Sequence, residues 1–523
     1  MAQFNTQLDD EPLTDGSVPI AGVNNAQPPN AIGPTLAADA ENRLTQADGL
    51  NRPRPGVTRL QYTGGSFDSI HHAGVGQFLY NDAGNWFQYD SRSEANITLA
   101  GGPNFAHGIN VYSTLSADKL YFSAGGGSAT GGPLWKFVPG TGAGTGFSVV
   151  SLPAPYDKAL YPLWALYRLI YAYENTLIIS DILDPEIFDL VNQTVTLDPV
   201  KSDYITGHCL WQNQTLAVFR NGSTWMIETG PNLNVVDWEV NRASATVGCA
   251  CHGTIVQCGV DVFFLSETGR GVYVLSQMPT SNQMGVWQPI SAPIKGYIDR
   301  INWSAIQCAR ATYWNDLYLL SVPMDLSTIN NYTLVFSVSA NSWQGVWYHE
   351  SSGQTIAVRD WARDRTNPDE TLLLLGSIEG YISYVTYPTD EQFYDKNIDG
   401  TRRDFESYLL SRAFTFSESI NQIQPHSAKI QFLESDDPVD VTILADRTIQ
   451  LLKKNSPTNN YKLSLTIPGF PFDLDKEGYY NLPLSLMSVG ICNELQVELS
   501  GTGNWTVYQM KLTAFEAMPL VMI

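Results

Sequence analysis

Residues 262–275, VFFLSETGRGVYVL, contain the pattern that decides the fold of this 523-residue chain. An apolar run leads into the turn Glu267-Thr268-Gly269, and a second run carries Tyr273 and Leu275 at alternate positions. Turn residues of this kind tolerate the positive φ angles that close β-hairpins, and alternation of period two lets one face of each strand be buried. The stretch therefore predicts a β-hairpin with one apolar face.

The same theme occurs seven times between Gly74 and Thr386. The copies are FLYNDAGNWFQY from Phe78, LYFSAGGGSATGGPLWKF from Leu120, LIISDILDPEIFDL from Leu177, LAVFRNGSTWMI from Leu216, VFFLSETGRGVYVL from Val262, LYLLSVPMDLSTINNYTLVF from Leu317 and LLLLGSIEGYISYV from Leu372. Their first residues lie roughly 40 to 55 residues apart, which is the spacing of propeller blades rather than of helical repeats. A lone hairpin is barely stable in water, whereas blades stacked around an axis cover both faces of each sheet. The sequence therefore predicts an all-β protein in which residues 57–400 form a β-propeller of about seven blades.

The region before the repeats, residues 1–56, is predicted to be an extended N-terminal arm. Phe4 is its only aromatic residue, and Pro, Ala, Asn and Asp dominate, so the region cannot bury a core by itself. The prolines of residues 51–56, NRPRPG, favour an extended lead-in to the first strand. The arm is either disordered or ordered on a neighbouring subunit, and deletion of residues 1–50 is expected to leave the fold intact.

The region after the repeats, residues 401–523, reads as a C-terminal β-sandwich-like module. Its predicted strands are 413–416, 428–433, 439–444, 462–467, 495–499 and 505–512. The last two are predicted to form a hairpin that turns at residues 501–504, with Leu495, Val497 and Leu499 alternating against Trp505 and Val507.

Composition and charge limit the partners. The formal net charge is −22, and an acidic protein gains little from counterion release, so tight binding to nucleic acid or to an anionic membrane is disfavoured. A channel lined by carboxylates would instead let a DNA duplex slide through. Charged residues make up 16%, below the usual quarter, which suits an extracellular or virion protein better than a cytosolic enzyme.

The N-terminus and the cysteines give further expectations. Residues 1–10 have no basic start and no apolar core, and no run of about eighteen apolar residues occurs, so we expect a soluble chain made in the cytoplasm. Six cysteines are few for this length, and reduced thiols are expected.

The order of these parts resembles one family. A polar arm ends in Arg54-Pro55-Gly56, a ring of blades carries residues 261–266 (DVFFLS) and 271–273 (GVY), and a closing β module carries residues 499–505 (LSGTGNW). Over most of the chain this order is similar to the tail nozzle proteins of short-tailed bacteriophages, which include the tail tubular protein B and packaged-DNA stabilisation types.

The resemblance implies a structural virion protein that is not an enzyme. It implies a homo-hexameric nozzle or hub ring below the portal and the tail adaptor, which continues the DNA channel, retains the packaged genome and allows its ejection into the host. Tail fibre or needle proteins are the other implied partners, and DNA passes without sequence-specific binding. No catalytic residue, cofactor or metal ligand is implied.

Residues 395–406 fit the calcium-loop pattern D-x-[DN]-x-[DN]-G-x5-E. The matching positions are Asp395, Asn397, Asp399, Gly400 and Glu406. However, Arg402 stands where an apolar residue is usual, and the surroundings read as strands rather than paired helices. An Asp-Gly turn between the ring and the C-terminal module is the preferred interpretation.

Two further clusters invite a metal interpretation that the sequence disfavours. The acidic loop contains Asp473, Asp475, Glu477 and Gly478, but Leu484 occupies the position of the bidentate carboxylate, so a solvated loop is predicted. The second cluster is Cys249, Cys251, His252 and Cys258. Its spacing matches neither common structural zinc pattern, and buried strand residues at the start of a blade are predicted instead.

An enzyme or a receptor-binding tip remains the alternative. Asp181, Asp184, Asp360 and Asp364 could supply an acid and a base for glycoside cleavage. Acidic residues at blade turns are, however, ordinary turn formers, and the chain has no GxSxG, HExxH or phosphate-loop motif. A tip that stacks sugars on exposed aromatic side chains is the third class, although most of the 13 Trp are better explained as blade core.

Overall fold

The computed structural model describes residues 13–17 and 20–516, with gaps inside the second range. The gaps are 47, 65–66, 117–118, 126–131, 140–145, 199–202, 213, 230–233, 278–283, 287–288, 349, 352–353, 356, 365–371, 391, 417–421, 434–438, 447–462, 468–478 and 487–490. The N-terminal region contributes six strands: β1 (Leu13–Ser17), β2 (Gly22–Val23), β3 (Leu36–Glu41), β4 (Arg43–Thr45), β5 (Asn51–Pro53) and β6 (Val57–Tyr62).

Seven antiparallel blades of four strands follow. Blade 1 contains β7 (Phe67–Gly74), β8 (Gln77–Asp82), β9 (Asn85–Asp90) and β10 (Ala95–Leu99). Blade 2 contains β11 (Val111–Leu115), β12 (Leu120–Ala124), β13 (Trp135–Phe137) and β14 (Phe147–Val149). Blade 3 contains β15 (Leu160–Ala165), β16 (Arg168–Tyr173), β17 (Thr176–Ile179) and β18 (Thr194–Thr196). Blade 4 contains β19 (Ile205–Trp211), β20 (Thr215–Arg220), β21 (Thr224–Glu228) and β22 (Glu239–Ser244). Blade 5 contains β23 (Val256–Cys258), β24 (Asp261–Ser266), β25 (Gly271–Gln277) and β26 (Met284–Val286). Blade 6 contains β27 (Arg310–Trp314), β28 (Leu317–Val322), β29 (Tyr332–Ser337) and β30 (Ser342–Tyr348).

Blade 7 closes the ring with a strand from the other end of the propeller. After the short pair β31 (Glu350–Ser351) and β32 (Gln354–Thr355), it consists of β33 (Val358–Arg363), β34 (Leu373–Ser377), β35 (Tyr381–Val385) and β6. Tyr381 pairs with Tyr62, and Val385 pairs with Val57. Because β6 precedes blade 1 in the chain, this pairing ties the last blade to the first. The protein is therefore an all-β propeller of seven blades.

Helical structure is confined to short pieces in the described residues. These are α1 (Lys295–Ile298) and the 3-10 helices Val235–Asp237, His252–Thr254, Ala292–Ile294, Trp303–Cys308 and Pro388–Asp390. Within the described ranges, none of the helices has the length and apolarity to cross a membrane.

Six copies of the sequence theme coincide with the two middle strands of a blade, and the third does not. The copy from Phe78, for example, forms β8 and β9, which pair from Gln77↔Asp90 to Asp82↔Asn85. In the third copy only the first run is a strand, β17, and the prediction of a hairpin there was wrong. The hairpin of blade 3 lies one strand earlier, between β16 and β17, and turns at Glu174-Asn175, where Glu174 has φ 47°. The residues after β17 form a loop, since Pro185 interrupts the apolar run.

The C-terminal strands that the structure describes are β36 (Asp395–Lys396), β37 (Arg402–Arg403), β38 (Glu406–Ser411), β39 (Ile423–Leu433), β40 (Val439–Ala445), β41 (Leu463–Ile467), β42 (Tyr479–Ser485), β43 (Leu495–Thr502) and β44 (Val507–Glu516). β36 and β37 extend the sheet of blade 7 beyond β6, whereas β38 to β44 belong to two sheets that face each other. One sheet runs β4-β5-β44-β39-β42, with β1 also paired to β44. The other is the outer half of a ten-stranded sheet, β27-β28-β29-β30-β3-β38-β43-β40-β41, with β2 paired to β3.

The predicted terminal hairpin is wrong, because its two strands belong to different sheets. β43 pairs with β38 and β40, whereas β44 pairs with β39, β5 and β1. Leu495, Val497, Leu499, Trp505 and Val507 are all buried in one core. The alternation identified the residues that face each other, but they meet across the sandwich rather than side by side within one sheet.

The described part of the region predicted to be an extended arm, residues 13–17 and 20–56 without 47, packs against the body of its own chain. Within β3, Glu41 pairs with Val346 of blade 6 on one side and with Tyr408 of β38 on the other, so this strand joins the propeller to the C-terminal module. Arg43 is fully buried: its Nη1 donates to the carbonyl oxygen of Trp505 at 3.0 Å, and its guanidinium lies 3.7 Å from the Trp505 ring centroid. The low aromatic content misled the prediction, because this region completes the cores of other segments instead of forming its own.

Candidate functional site at the propeller axis

Seven polar or aromatic side chains lie at the propeller axis, six of them on the first strand of a blade and one in the 3-10 helix His252–Thr254 before blade 5. These side chains are His71 of blade 1, Tyr112 of blade 2, Tyr161 of blade 3, His208 of blade 4, His252 before blade 5, Arg310 of blade 6 and Asp360 of blade 7. We call this set the axial cluster. Local backbone geometry places some of them: Tyr161 has φ 55°, at a register shift in β15 between Leu160 and Leu163.

Contacts between distant blades show that the axial cluster fills the axis. The His252 ring stacks on Tyr161 at 4.7 Å between centroids and meets Tyr112 edge-on at 5.0 Å. Arg310 Nη2 donates to Asn110 Oδ1 at 2.6 Å, and Asn110 Nδ2 donates to the Gln307 carbonyl at 2.8 Å. Because blades 2 and 6 lie on different sides of the ring, these bonds cross the axis. A DNA duplex therefore has no passage through the propeller itself.

Charge in the axial cluster is paired. Arg310 Nε lies 3.4 Å from Asp360 Oδ1, and Asp360 also accepts hydrogen bonds from the amides of Ile70 at 3.2 Å and Trp361 at 3.0 Å. Burial raises the pKa of Asp360, and Arg310 partly offsets that effect. Arg359 beside them donates to the Asp68 carbonyl at 3.2 Å.

Burial shifts the pKa values of the titratable rings in the axial cluster away from neutral pH. Burial lowers the pKa of His71 to about 3 and that of His208 to about 4, and it also lowers the pKa of His252. Burial raises the pKa of Tyr112 to about 12. General acid–base catalysis works best when a group titrates near the operating pH, so these rings are better suited to packing.

The carboxylates considered for glycoside cleavage do not form one site. Asp181 and Asp184 share a tight turn of blade 3, where Asp181 also accepts from Gln193, whereas Asp360 and Asp364 belong to blade 7. Asp364 lies beyond β33 and accepts from the Gly76 amide at 2.9 Å, and one of its carboxylate oxygens lies 3.3 Å from His72 Nε2. Each pair is engaged in local structure.

The calcium-like loop is a β-hairpin whose first acidic residue is ion-paired. Asp395 is fully buried and accepts from Arg54 Nη1 at 3.0 Å, from Arg54 Nη2 at 2.9 Å and from the Val57 amide at 2.8 Å. Asp395 and Lys396 pair with Arg403 and Arg402, and Asp399 accepts from the Thr401 amide at 3.0 Å. These contacts use the Asp395 oxygens that a cation would need.

The cysteine cluster is part of the core, and its thiols point to backbone oxygens. Cys249 Sγ donates to the Cys251 carbonyl at 3.1 Å, and Cys251 Sγ lies 3.6 Å from the Ala309 carbonyl. Burial raises the pKa of Cys251 to about 11 and raises those of Cys249 and Cys258 as well. Zinc binds thiolates, so this burial opposes binding. Within the described ranges all six cysteines are free and no group of three metal-ligating side chains occurs. The acidic loop with Asp473, Asp475, Glu477 and Gly478 lies outside the described residues.

A cleft of about 500 Å³ lies between the N-terminal region and blade 6. Its lining includes Thr45, Gln46, Asp316, Ser339 and Gln344. Asp316 Oδ2 accepts from the Ser339 amide at 3.0 Å, and Gln344 Oε1 accepts from the Thr45 amide at 3.1 Å. The first bond lies within blade 6, and the second links the N-terminal region to blade 6.

Comparisons with known proteins add a limited structural likeness. No family model matches the chain, and no curated protein matches it either. Solved structures that resemble it include a chain of the mitotic checkpoint complex, with 11% identity, a TM-score of 0.42 and coverage of 64% of this chain and 93% of that chain.

Two further structures are similar at the same level. The WD40 β-propeller domain of Doa1 has 7% identity and a TM-score of 0.39, covering 64% of this chain and 98% of that chain. The extracellular domain of the putative hybrid two-component system BT3049 from B. thetaiotaomicron has 9% identity and a TM-score of 0.39, covering 62% of this chain and 40% of that chain. At these low values the propeller assignment rests on the strand pairing described above.

Proposed function

We propose that this protein is the structural subunit of a tail nozzle of a short-tailed bacteriophage, and that copies of it form a ring around the path of the DNA. The sequence resemblance supports this proposal. In the ring, the DNA passes through the lumen between copies, because the axial cluster fills each propeller. The net charge of −22 suits a lumen that DNA crosses without binding.

The observation that carries the proposal is the continuous ten-stranded sheet that joins the propeller to the C-terminal module. A subunit that retains a packaged genome has to resist force, and domains that share only a small polar interface move relative to each other by default. Here backbone hydrogen bonds through β3 replace such an interface. This sheet suits a rigid building block.

The test is assembly with the portal and adaptor proteins. We expect a six-fold ring in negative-stain projections when the protein is mixed with them, and a protein that stays monomeric in their presence would refute the proposal. Measurable cleavage of host polysaccharide, abolished by a single change at Asp181, Asp184, Asp360 or Asp364, would favour the enzyme alternative instead.

A further inference from the structure

Blade 3 carries an exposed apolar patch, which we call the blade-3 patch. It consists of Tyr167, Ile182, Leu183, Ile187 and Val191, and the last is 86% exposed. Tyr167 lies in the turn between β15 and β16, and the other four lie in the loop between β17 and β18. Contiguous exposed apolar surface of this kind usually marks an interaction site.

The blade-3 patch is held in place by local bonds. The Leu183 amide donates to the Tyr167 carbonyl at 2.8 Å, which fixes the loop against the turn. Glu186 in the same loop accepts from Lys119 Nζ at 3.2 Å and Lys136 Nζ at 2.5 Å, both from blade 2. The loop therefore presents its apolar side chains from a fixed position.

The blade-3 patch is surrounded by negative charge. Residues 180–193, SDILDPEIFDLVNQ, contain four acidic residues and no basic one. The two lysines offset Glu186, while Asp181, Asp184 and Asp189 meet backbone and amide donors in the loop. A segment that binds here needs apolar side chains together with positive charge.

One segment of this chain has that composition. Residues 447–462, RTIQLLKKNSPTNNYK, contain Arg447, Lys453, Lys454 and Lys462 and no acidic residue, although the whole chain has 52 acidic and 30 basic residues. Ile449, Leu451 and Leu452 supply the apolar part. The segment connects β40 to β41, which pair at the edge of the ten-stranded sheet. Connections of this length are uncommon in compact domains and are often functional.

The positions of segment and patch favour binding between copies. The C-terminal module is joined to blade 6, and blades 4 and 5 separate blade 6 from blade 3 on one side, while blades 7, 1 and 2 do so on the other. β40 and β41, between which the segment runs, belong to this module, so the segment and the patch come from separate parts of the subunit. A contact between two such parts of neighbouring copies is head-to-tail, and it closes into a ring or continues as a filament. We propose that residues 447–462 of one copy bind the blade-3 patch of the next copy; this inference rests on the proposed ring and identifies its subunit contact.

The first test separates the two surfaces by substitution in the full chain. Leu183→Asn removes the apolar side chain at φ 62°, where Asn is well tolerated, so the fold is expected to be unaffected. Its matched control is Leu326→Asn on blade 6, an exposed leucine at φ 67°. Lys453→Glu/Lys454→Glu reverses the basic segment, and Lys429→Glu/Lys511→Glu makes the same charge change at exposed positions of the same module. In sedimentation velocity we expect self-association to weaken at least tenfold in both test variants and to be unchanged in both controls.

The second test mixes the two test variants. The Leu183→Asn copy keeps its basic segment and the Lys453→Glu/Lys454→Glu copy keeps its patch, so one intact contact per pair remains. We expect the mixture to form mixed dimers that do not grow into rings. Zero-length coupling of amines to carboxylates in mixed ¹⁵N-labelled and unlabelled wild-type chains should link Lys453 or Lys454 to Asp184 of another copy.

The outcomes distinguish this contact from the proposed function. Rings that form normally from either test variant would overturn the contact and leave the nozzle proposal standing. Links confined to a single chain, or the absence of links between copies, would overturn it as well. A wild-type protein that stays monomeric with portal and adaptor present would instead refute the nozzle proposal.

Discussion

Replacement of Asp395 by Asn tests whether the buried ion pair with Arg54 holds the N-terminal region to the propeller. Both side chains have no solvent exposure, and the carboxylate accepts three hydrogen bonds, two from Arg54 and one from the Val57 amide. Asparagine keeps the shape but turns one acceptor into a donor that faces the guanidinium. Arg54 then remains charged and buried beside Phe405, and the Arg54 Cζ lies 3.8 Å from the centroid of the Phe405 ring. Removing one partner of such a pair costs about 3–5 kcal/mol.

The measurement is the free energy of unfolding from urea titration, followed by tryptophan fluorescence. The matched control is Asp325→Asn, which breaks the Arg300–Asp325 pair, whose side chains are 37% and 48% exposed. Surface pairs contribute roughly 0–1 kcal/mol, so the control should lose far less stability. The double variant Arg54→Met/Asp395→Leu removes both charges and should be more stable than Asp395→Asn alone. Equal losses in Asp395→Asn and Asp325→Asn would refute this reasoning.

Three further predictions concern the N-terminal region, the sandwich core and the axial cluster. Deletion of residues 1–45 removes β3, so blade 6 and the C-terminal module should unfold in separate calorimetric transitions. A single transition at the melting temperature of the full-length protein would contradict the strand pairing. This prediction replaces the sequence-based expectation that the fold survives loss of residues 1–50. Trp505→Ala leaves a cavity between the two sandwich sheets and should cost about 3–5 kcal/mol in urea unfolding, whereas Trp505→Phe, the control, should cost less. The pKa values of His71 and His208 are lowered to about 3 and about 4, so their contribution to stability is present above the unfolded value of about 6.5 and is lost as the pH falls toward 4. His208→Phe should therefore reduce the change in the urea midpoint between pH 7 and pH 5. A pH dependence equal to that of the wild type would count against this assignment.

The sequence predicted the blades well because their stability depends on local features. The hairpin of residues 78–89 needs only alternation and a turn in which Ala83 and Gly84 adopt positive φ, 48° and 84°. The third copy failed for the same local reason: its apolar run continues past the true strand, and Pro185 ends the pairing that the alternation suggested.

The candidate site was much less predictable. Tyr112 and Arg310 lie far apart in the chain, and no motif marks either of them. His252 attracted notice only as part of a zinc pattern, which does not point to the axis. They meet only because seven blades close around one axis. Burial in that position then shifts their pKa values, which a sequence without coordinates does not reveal.

The sequence by itself determined that this protein is all-β, that it has about seven blades and which residues of the last strands are buried, because periodicity and turn chemistry act within a few residues. Tertiary structure alone decided which strands from distant parts of the chain are neighbours. The residues predicted to be a separate arm became the strand that joins propeller and module, and the predicted terminal hairpin became a crossing between two sheets. The physical reason is that a strand's edge hydrogen bonds carry no sequence signal for their partner, so pairing is decided by which arrangement buries the most apolar surface.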